Sequence, residues 1–164
     1  MPARAGSTME TMMNQAFKTR DTADALWVVR DKVQFMGEVP EKGLSILEVT
    51  VPPGSGTPPH KHQSVEIFRV LSGEITFTVF DSVPPSQMVA GPGDVLTLRS
   101  FQPHNYANTG SLPAQMIAIV EDSMNHFFRD VGQSEVPPDG PPSAEEIGAV
   151  LAACQRHGIE ILGT

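Results

Sequence analysis

The segment that most restricts this chain runs from Gly54 to Gly73, GSGTPPHKHQSVEIFRVLSG. It places His60, His62 and Glu66 at i, i+2 and i+6. Side chains of an extended strand alternate faces with a period of two, so a strand without a bulge sets all three on one face. Pro52 and Pro53 stop the run before it, and Gly54 and Gly56 permit a tight reversal. Pro58 and Pro59 stiffen the approach to His60, because proline fixes its own φ and biases the preceding residue to extended geometry. Two imidazoles and a carboxylate converging on one point suit a borderline divalent metal such as Fe, Mn, Co, Ni, Cu or Zn. His104, after a later run of strand character, is the fourth candidate ligand. Histidines of β-proteins also occur as surface residues or hydrogen-bonded core residues. Here two of only five histidines fall in one pair, with a glutamate four residues on and glycines at both ends, which favours a metal site.

Fifteen prolines and fourteen glycines cut the chain into short β-branched runs, the pattern of an all-β core with many turns. Strand character begins at Ala25 with LWVVRDKVQFMGEV and resumes in LSILEVTVPP, from Leu44. Phe68 and Val70 share the parity of Glu66, so all three face inward together. Strands follow at Glu74 to Phe80, Val95 to Leu98 and Ala114 to Val120. Pro103 sets up His104, whose face carries Tyr106 and Asn108, with Asn108 read as a structural hydrogen-bonding residue. The candidate lining of an inner cavity is apolar: Phe35, Phe68, Val70, Phe77, Phe101, Tyr106 and Met116, with core packing the favoured reading for Phe35.

Both ends read as helical. Ser7 and Glu10 fit a capping box ahead of Met9, Met12, Met13, Ala16 and Phe17 at helical spacing. Ser123 can cap MNHFFRDVG, whose adjacent Phe127 and Phe128 cannot face the same way, so that one is expected to plug an end of the barrel. A proline-rich linker, 133–142, leads to a second capping box at Ser143 and Glu146. Ile147, Val150, Leu151 and Cys154 then form an apolar stripe that ends before Gly158. Three parts are expected: an N-terminal arm over 1–24, a β-barrel over 25–122 and a helical extension over 123–164.

A net charge of −8 and the absence of a basic patch argue against nucleic acid and anionic membranes as partners. No run approaches the roughly 20 apolar residues of a membrane span, and the N-terminus has no apolar signal core. The single cysteine excludes an internal disulfide framework, so a cytoplasmic protein is expected.

The spacing of Gly54, His60, His62, Glu66 and Gly73 resembles the first cupin motif at every position. GDVLTLRSFQPHNYAN resembles the second, with Gly93, His104 and Asn108 at the expected spacings. It departs where Arg99 replaces the usual proline and Phe101 the usual glycine. Phe101 would find the left-handed conformation that glycine permits costly, so the loop 100–103 is expected to take another path, with Phe101 either covering a mouth of the barrel or packing on its outer surface. The resemblance spans roughly residues 25 to 122, and the C-terminal tail is similar to that of small quercetin-dioxygenase-like cupins. It implies a double-stranded β-helix barrel with a short N-terminal segment and C-terminal helices. It also implies a metal held by His60, His62, Glu66 and His104.

Four such ligands leave open positions on the metal, the mark of a catalytic rather than a structural site. Glu66 has two roles open to it, ligand and general base. The expected function is a metal-dependent dioxygenase, with iron the first candidate, acting on a small hydroxylated aromatic or enolic compound. Redox-neutral isomerase, lyase, cyclase or decarboxylase chemistry on the same site is the alternative, followed by a non-catalytic small-ligand binder. A homodimer is expected, with the Met-rich N-terminal segment and the strand from Leu26 covering a sheet edge.

Overall fold

Strands this short cannot cover their own apolar faces, and the fold pairs them into two sheets that share one core. The computed structural model describes residues 16–163. The larger sheet has the order β1 (Ala25–Val28), β2 (Asp31–Val39), β3 (Leu44–Val51), β10 (Ala114–Glu121), β5 (Glu66–Ser72) and β8 (Val95–Leu98). The smaller has the order β11 (Glu160–Ile161), β4 (His60–Lys61), β9 (His104–Ala107), β6 (Ile75–Val79) and β7 (Ser86–Ala90). Every pairing is antiparallel. Leu47, Phe68 and Met116 of the first sheet and Ile75 and Phe77 of the second belong to a single buried cluster. The all-β class expected from the sequence is the class observed. The helical signature from Ser7 to Met13 lies outside the described residues.

The run expected as one strand from Ala25 is instead a hairpin. Val28 pairs with Asp31 across a two-residue turn, and Val29 sits there at φ 59°. A β-branched residue in the left-handed region is strained. Neighbouring contacts hold it: Arg30 bonds Glu146 Oε1 at 2.8 Å and the carbonyls of Gly140 and Pro141 at 2.8 and 3.1 Å. The hairpin and the C-terminal linker are thereby tied together. Further along β2 the register with β3 slips between Phe35 and Gly37.

Two helices follow the last long strand, α1 (Asp122–Val131) and α2 (Ala144–Arg156). Helix α1 starts two residues earlier than expected: Glu121 occupies its N-cap, and no side chain caps it. Ser123 therefore lies inside the helix. The capping box of α2 forms as read, Ser143 accepting from Glu146 N and Glu146 accepting from Ser143 N. Gly158, at φ 68°, turns the chain out of α2, and Ile159 N donates to Cys154 O at 2.9 Å. That turn brings β11 against β4, beside His60. Among the described residues no helix is long and apolar enough to cross a membrane.

Gly73 and Gly54 test the turn geometry. Both have positive φ, 70° and 81°. A Cβ on Gly73 would lie 2.9 Å from Ala114 and from Pro113 O, whereas one on Gly54 would meet nothing within 4 Å. Gly54→Ala carries only the left-handed penalty, about 1–2 kcal/mol. Gly73→Ala adds an overlap with backbone, and urea unfolding is expected to show it less stable than Gly54→Ala by roughly 1–3 kcal/mol. Equal losses would mean that the β5–β6 turn has room to shift.

Candidate metal centre

The sequence put His60, His62 and Glu66 on one strand, and the structure does not. The strand stops after Lys61, bends through Gln63 and Ser64, and restarts at Glu66 in the other sheet. The four candidates meet because the two sheets face each other there. His60 pairs directly with His104 across β4 and β9, and Glu66 comes from β5 opposite. The bend between them is held by the loop 100–102. Phe101 N donates to His62 O at 2.7 Å, and Ser100 Oγ donates to Gln63 O at 2.5 Å.

Each imidazole is oriented by a backbone carbonyl. His60 Nδ1 lies 2.8 Å from Pro58 O, His62 Nδ1 3.0 Å from Ser64 O and His104 Nδ1 2.7 Å from Gln102 O. A carbonyl can only accept, so each Nδ1 carries a proton, and in the neutral ring each Nε2 then presents a bare lone pair. The three rings offer ligand atoms within 4.8 Å of one another. Glu66 Oε2 stands 3.0 Å from His104 Nε2 and 3.5 Å from His62 Nε2. At 3.0 Å a hydrogen bond is within reach, yet both atoms present lone pairs when the imidazole is neutral. Accordingly His62 Nε2, His104 Nε2 and Glu66 Oε2 are sealed from solvent with no hydrogen-bond partner.

Buried polar atoms without partners are costly, and a group of them aimed at one point needs a cation. Burial pushes the Glu66 carboxyl up, while protonated His104 and His62 would pull it down, to about 2. A metal ion supplies the same positive charge without protonating the imidazoles. Burial, reinforced by the neighbouring His104, pushes His60 down to about 4. Its ring is therefore neutral and ready to ligate at ordinary pH. The three-histidine cluster thus fits a borderline divalent metal, and the carbonyl contacts are the outer-shell bonds that such ligands use.

The centre opens on a cavity of about 230 Å³. His60, Glu66 and His104 border it, together with Phe68, Tyr106 and Met116 from the expected lining. Phe35, Val70, Phe77 and Phe101 are not among its walls. Phe35 is buried elsewhere, under the Arg129 guanidinium at 3.9 Å. Val70 is sealed in the core, and Phe77 packs behind Phe68 with ring centroids 5.3 Å apart. Phe101 is 56% exposed and is not a lid. The loop also keeps the glycine-like conformation, with Phe101 at φ 59°, because its N–H clamps the His62 carbonyl. Arg99 points outward to Asp81, 3.8 Å away.

One phenylalanine of the 127–128 pair was expected to plug an end of the barrel, and the sequence missed much of the remaining wall. Phe127 and Phe128 both border the cavity despite being adjacent, as do Ile147, Leu151 and Cys154 of α2. The stripe on α2 is the signal that foretold a buried face, but Ile147 and Leu151 stay 45% and 46% exposed at the cavity's edge. Asp31 and Ser55, also in the wall, carried no spacing signal. Asn108 is structural, as read: its Nδ2 donates to Val51 O and Leu112 O, and its Oδ1 accepts from Gly110 N.

Residues 47–120 match the family model described as a cupin domain. None of the curated proteins compared matches the chain. Among solved structures, oxalate oxidase bound to the substrate analogue glycolate is 26% identical over 49% of this chain, at a TM-score of 0.44. The match spans only 42% of that protein's length. An RmlC-like cupin from Shewanella frigidimarina is 16% identical, with 68% of this chain and 94% of that one covered and a TM-score of 0.58. The polyketide cyclase RemF from Streptomyces resistomycificus is 19% identical, covering 64% and 78%, with a TM-score of 0.56. The last two share this fold.

Metal binding should stabilise the folded chain by mass action. With free metal at about 100 times its dissociation constant, zinc is expected to add about 2.7 kcal/mol to the metal-free protein. His62→Ala should lose most of that gain in thermal melts. An unchanged gain in the variant would show that the ion binds elsewhere.

Proposed function

From the cupin-domain match over residues 47–120, we propose that this chain is a metal-dependent enzyme. Its expected reaction is the oxygen-dependent oxidation of a small hydroxylated aromatic or enolic compound. The observation that carries this reading is the set of unpartnered Nε2 atoms and Glu66 Oε2 meeting at the wall of an apolar cavity. His60, His62, His104 and Glu66 would hold the ion, iron being the first candidate. Such an ion supplies Lewis acidity, lowering the pKa of a hydroxyl or water beside it.

The chain's own residues do the rest. Glu66 borders the cavity, so it can take the proton of a substrate hydroxyl as general base. Phe68 and Met116 keep bulk water away and hold an apolar ring. Size limits that ring. A dry cavity of about 150 Å³ takes benzene, so 230 Å³ fits one ring with modest substituents. No lysine or arginine borders the cavity among the described residues, which disfavours strongly anionic substrates.

The test is turnover of single-ring catechols and enols by iron-loaded protein, in air and under argon. Oxygen consumption matched to turnover is expected. Undiminished anaerobic turnover would contradict the oxidation and leave the redox-neutral alternative: isomerase, lyase, cyclase or decarboxylase. Glu66→Gln should keep much of the metal while losing activity by about 10²-fold or more. A fully active variant would reduce Glu66 to a ligand at most.

The homodimer belongs to the same reading. β7 and β8 end their sheets and leave Val89 and Val95 63% and 58% exposed, which a second copy would cover. Light scattering at micromolar concentration should give twice the chain mass, and a monomer mass would contradict it.

A further inference from the structure

Away from the metal cluster, the cavity has one other charged group. Asp31 borders it and is only 5% exposed. Ser55 Oγ donates to Asp31 Oδ1 at 2.6 Å, and Tyr106 Oη donates to Asp31 Oδ2 at 2.5 Å. Among the described residues no cation pairs with this carboxylate. Burial pushes it up, and the Ser55 and Tyr106 hydrogen bonds pull it back, to about 6.

A buried carboxylate without a cation is a poor device for stability alone, because an apolar residue in its place avoids the desolvation cost. Its effect on the two hydroxyls is more informative. A hydroxyl has one proton and two lone pairs. With both protons committed to Asp31, Ser55 and Tyr106 can only accept. Both residues border the cavity. The mouth of hydrogen-bonding capacity they offer is therefore of one sign.

We propose that Asp31, Ser55 and Tyr106 form a second polar subsite of the cavity, which accepts a hydrogen bond from a hydroxyl of a neutral, single-ring ligand. Asp31 acts there as a positioning residue, through the hydroxyls it orients. The subsite rejects carboxylates and other acceptor-only groups, which would meet like charge and lone pairs. This deepens the function proposed above and rests on the same cavity as the substrate site. It does not depend on which metal the histidines hold.

The test compares two probes, 4-methylphenol and 4-methylanisole, the second lacking the donor. Dissociation constants are measured by ligand-detected NMR on metal-free and zinc-loaded protein. Wild type should prefer the phenol in both states. In Asp31→Asn the amide becomes a donor, one hydroxyl must turn its own proton into the cavity, and the phenol-to-anisole preference should fall roughly tenfold. A contribution from the histidine cluster would be the same in wild type and variant, so the change in ratio isolates Asp31. An unchanged ratio, or no phenol preference in wild type, overturns the proposal. Should Asp31→Asn fail to fold, wild type still decides. Intermolecular NOEs from bound 4-methylphenol to the Tyr106 ring are expected, and NOEs confined to residues remote from Tyr106 and Ser55 would overturn it. If the protein holds no metal, the selectivity of the metal-free form remains measurable, so the two failures can be told apart.

Discussion

Three backbone carbonyls decide what this molecule can do. Pro58, Ser64 and Gln102 each take the Nδ1 proton of a histidine two residues away in sequence. That turns the Nε2 atoms inward, and those of His62 and His104, with Glu66 Oε2, are sealed without a hydrogen-bond partner among the described residues. The rest of the fold serves to hold those carbonyls still. Pro58 and Pro59 stiffen one approach, and Phe101 N fixes the bend that carries His62 and Ser64. Glu66 is buried on a strand flanked by β8 and β10, so the carboxylate cannot retreat to water.

About half of the wall of the cavity beside that centre comes from segments outside the region that matches the cupin domain. The hairpin before it contributes Val29 and Asp31, and the chain after residue 120 contributes Phe127, Phe128 and the face of α2. Arg30 links the two by bonding the linker carbonyls and Glu146. The matched region therefore carries the candidate metal ligands, whereas the flanking segments shape the space in which a small molecule would lie. Differences in these flanks are a physical route by which one barrel accommodates different small molecules.

How much of this was legible in sequence follows from the range of each signal. His60, His62, Glu66 and His104 were legible because their spacing is local and dense. The bend between His62 and Glu66 was not, since a period-two reading assumes an unbroken strand and Gln63-Ser64 carry no strong breaker. Phe101 was misjudged because local preference was weighed without the His62 carbonyl that its N–H serves. Phe35 was read as a core residue first and a cavity residue second, and it is buried away from the cavity. Asp31, Ser55 and Tyr106 come from three distant segments, and no pattern in the sequence marks their meeting. The helix α2 showed its apolar stripe plainly, but what that stripe would face was set by the hairpin and linker contacts.

The central claim is that the three imidazoles are held with Nδ1 protonated and Nε2 bare, ready for a metal. Long-range proton–nitrogen NMR of the histidine rings reads this directly, with His126 and His157 as internal comparisons. In metal-free protein at neutral pH, His60, His62 and His104 should each show a protonated Nδ1 and an unprotonated Nε2. On adding zinc, the three Nε2 signals should move together while every Nδ1 proton persists. Protonated Nε2 atoms in the metal-free state, or zinc shifting Nδ1 instead, would contradict the account.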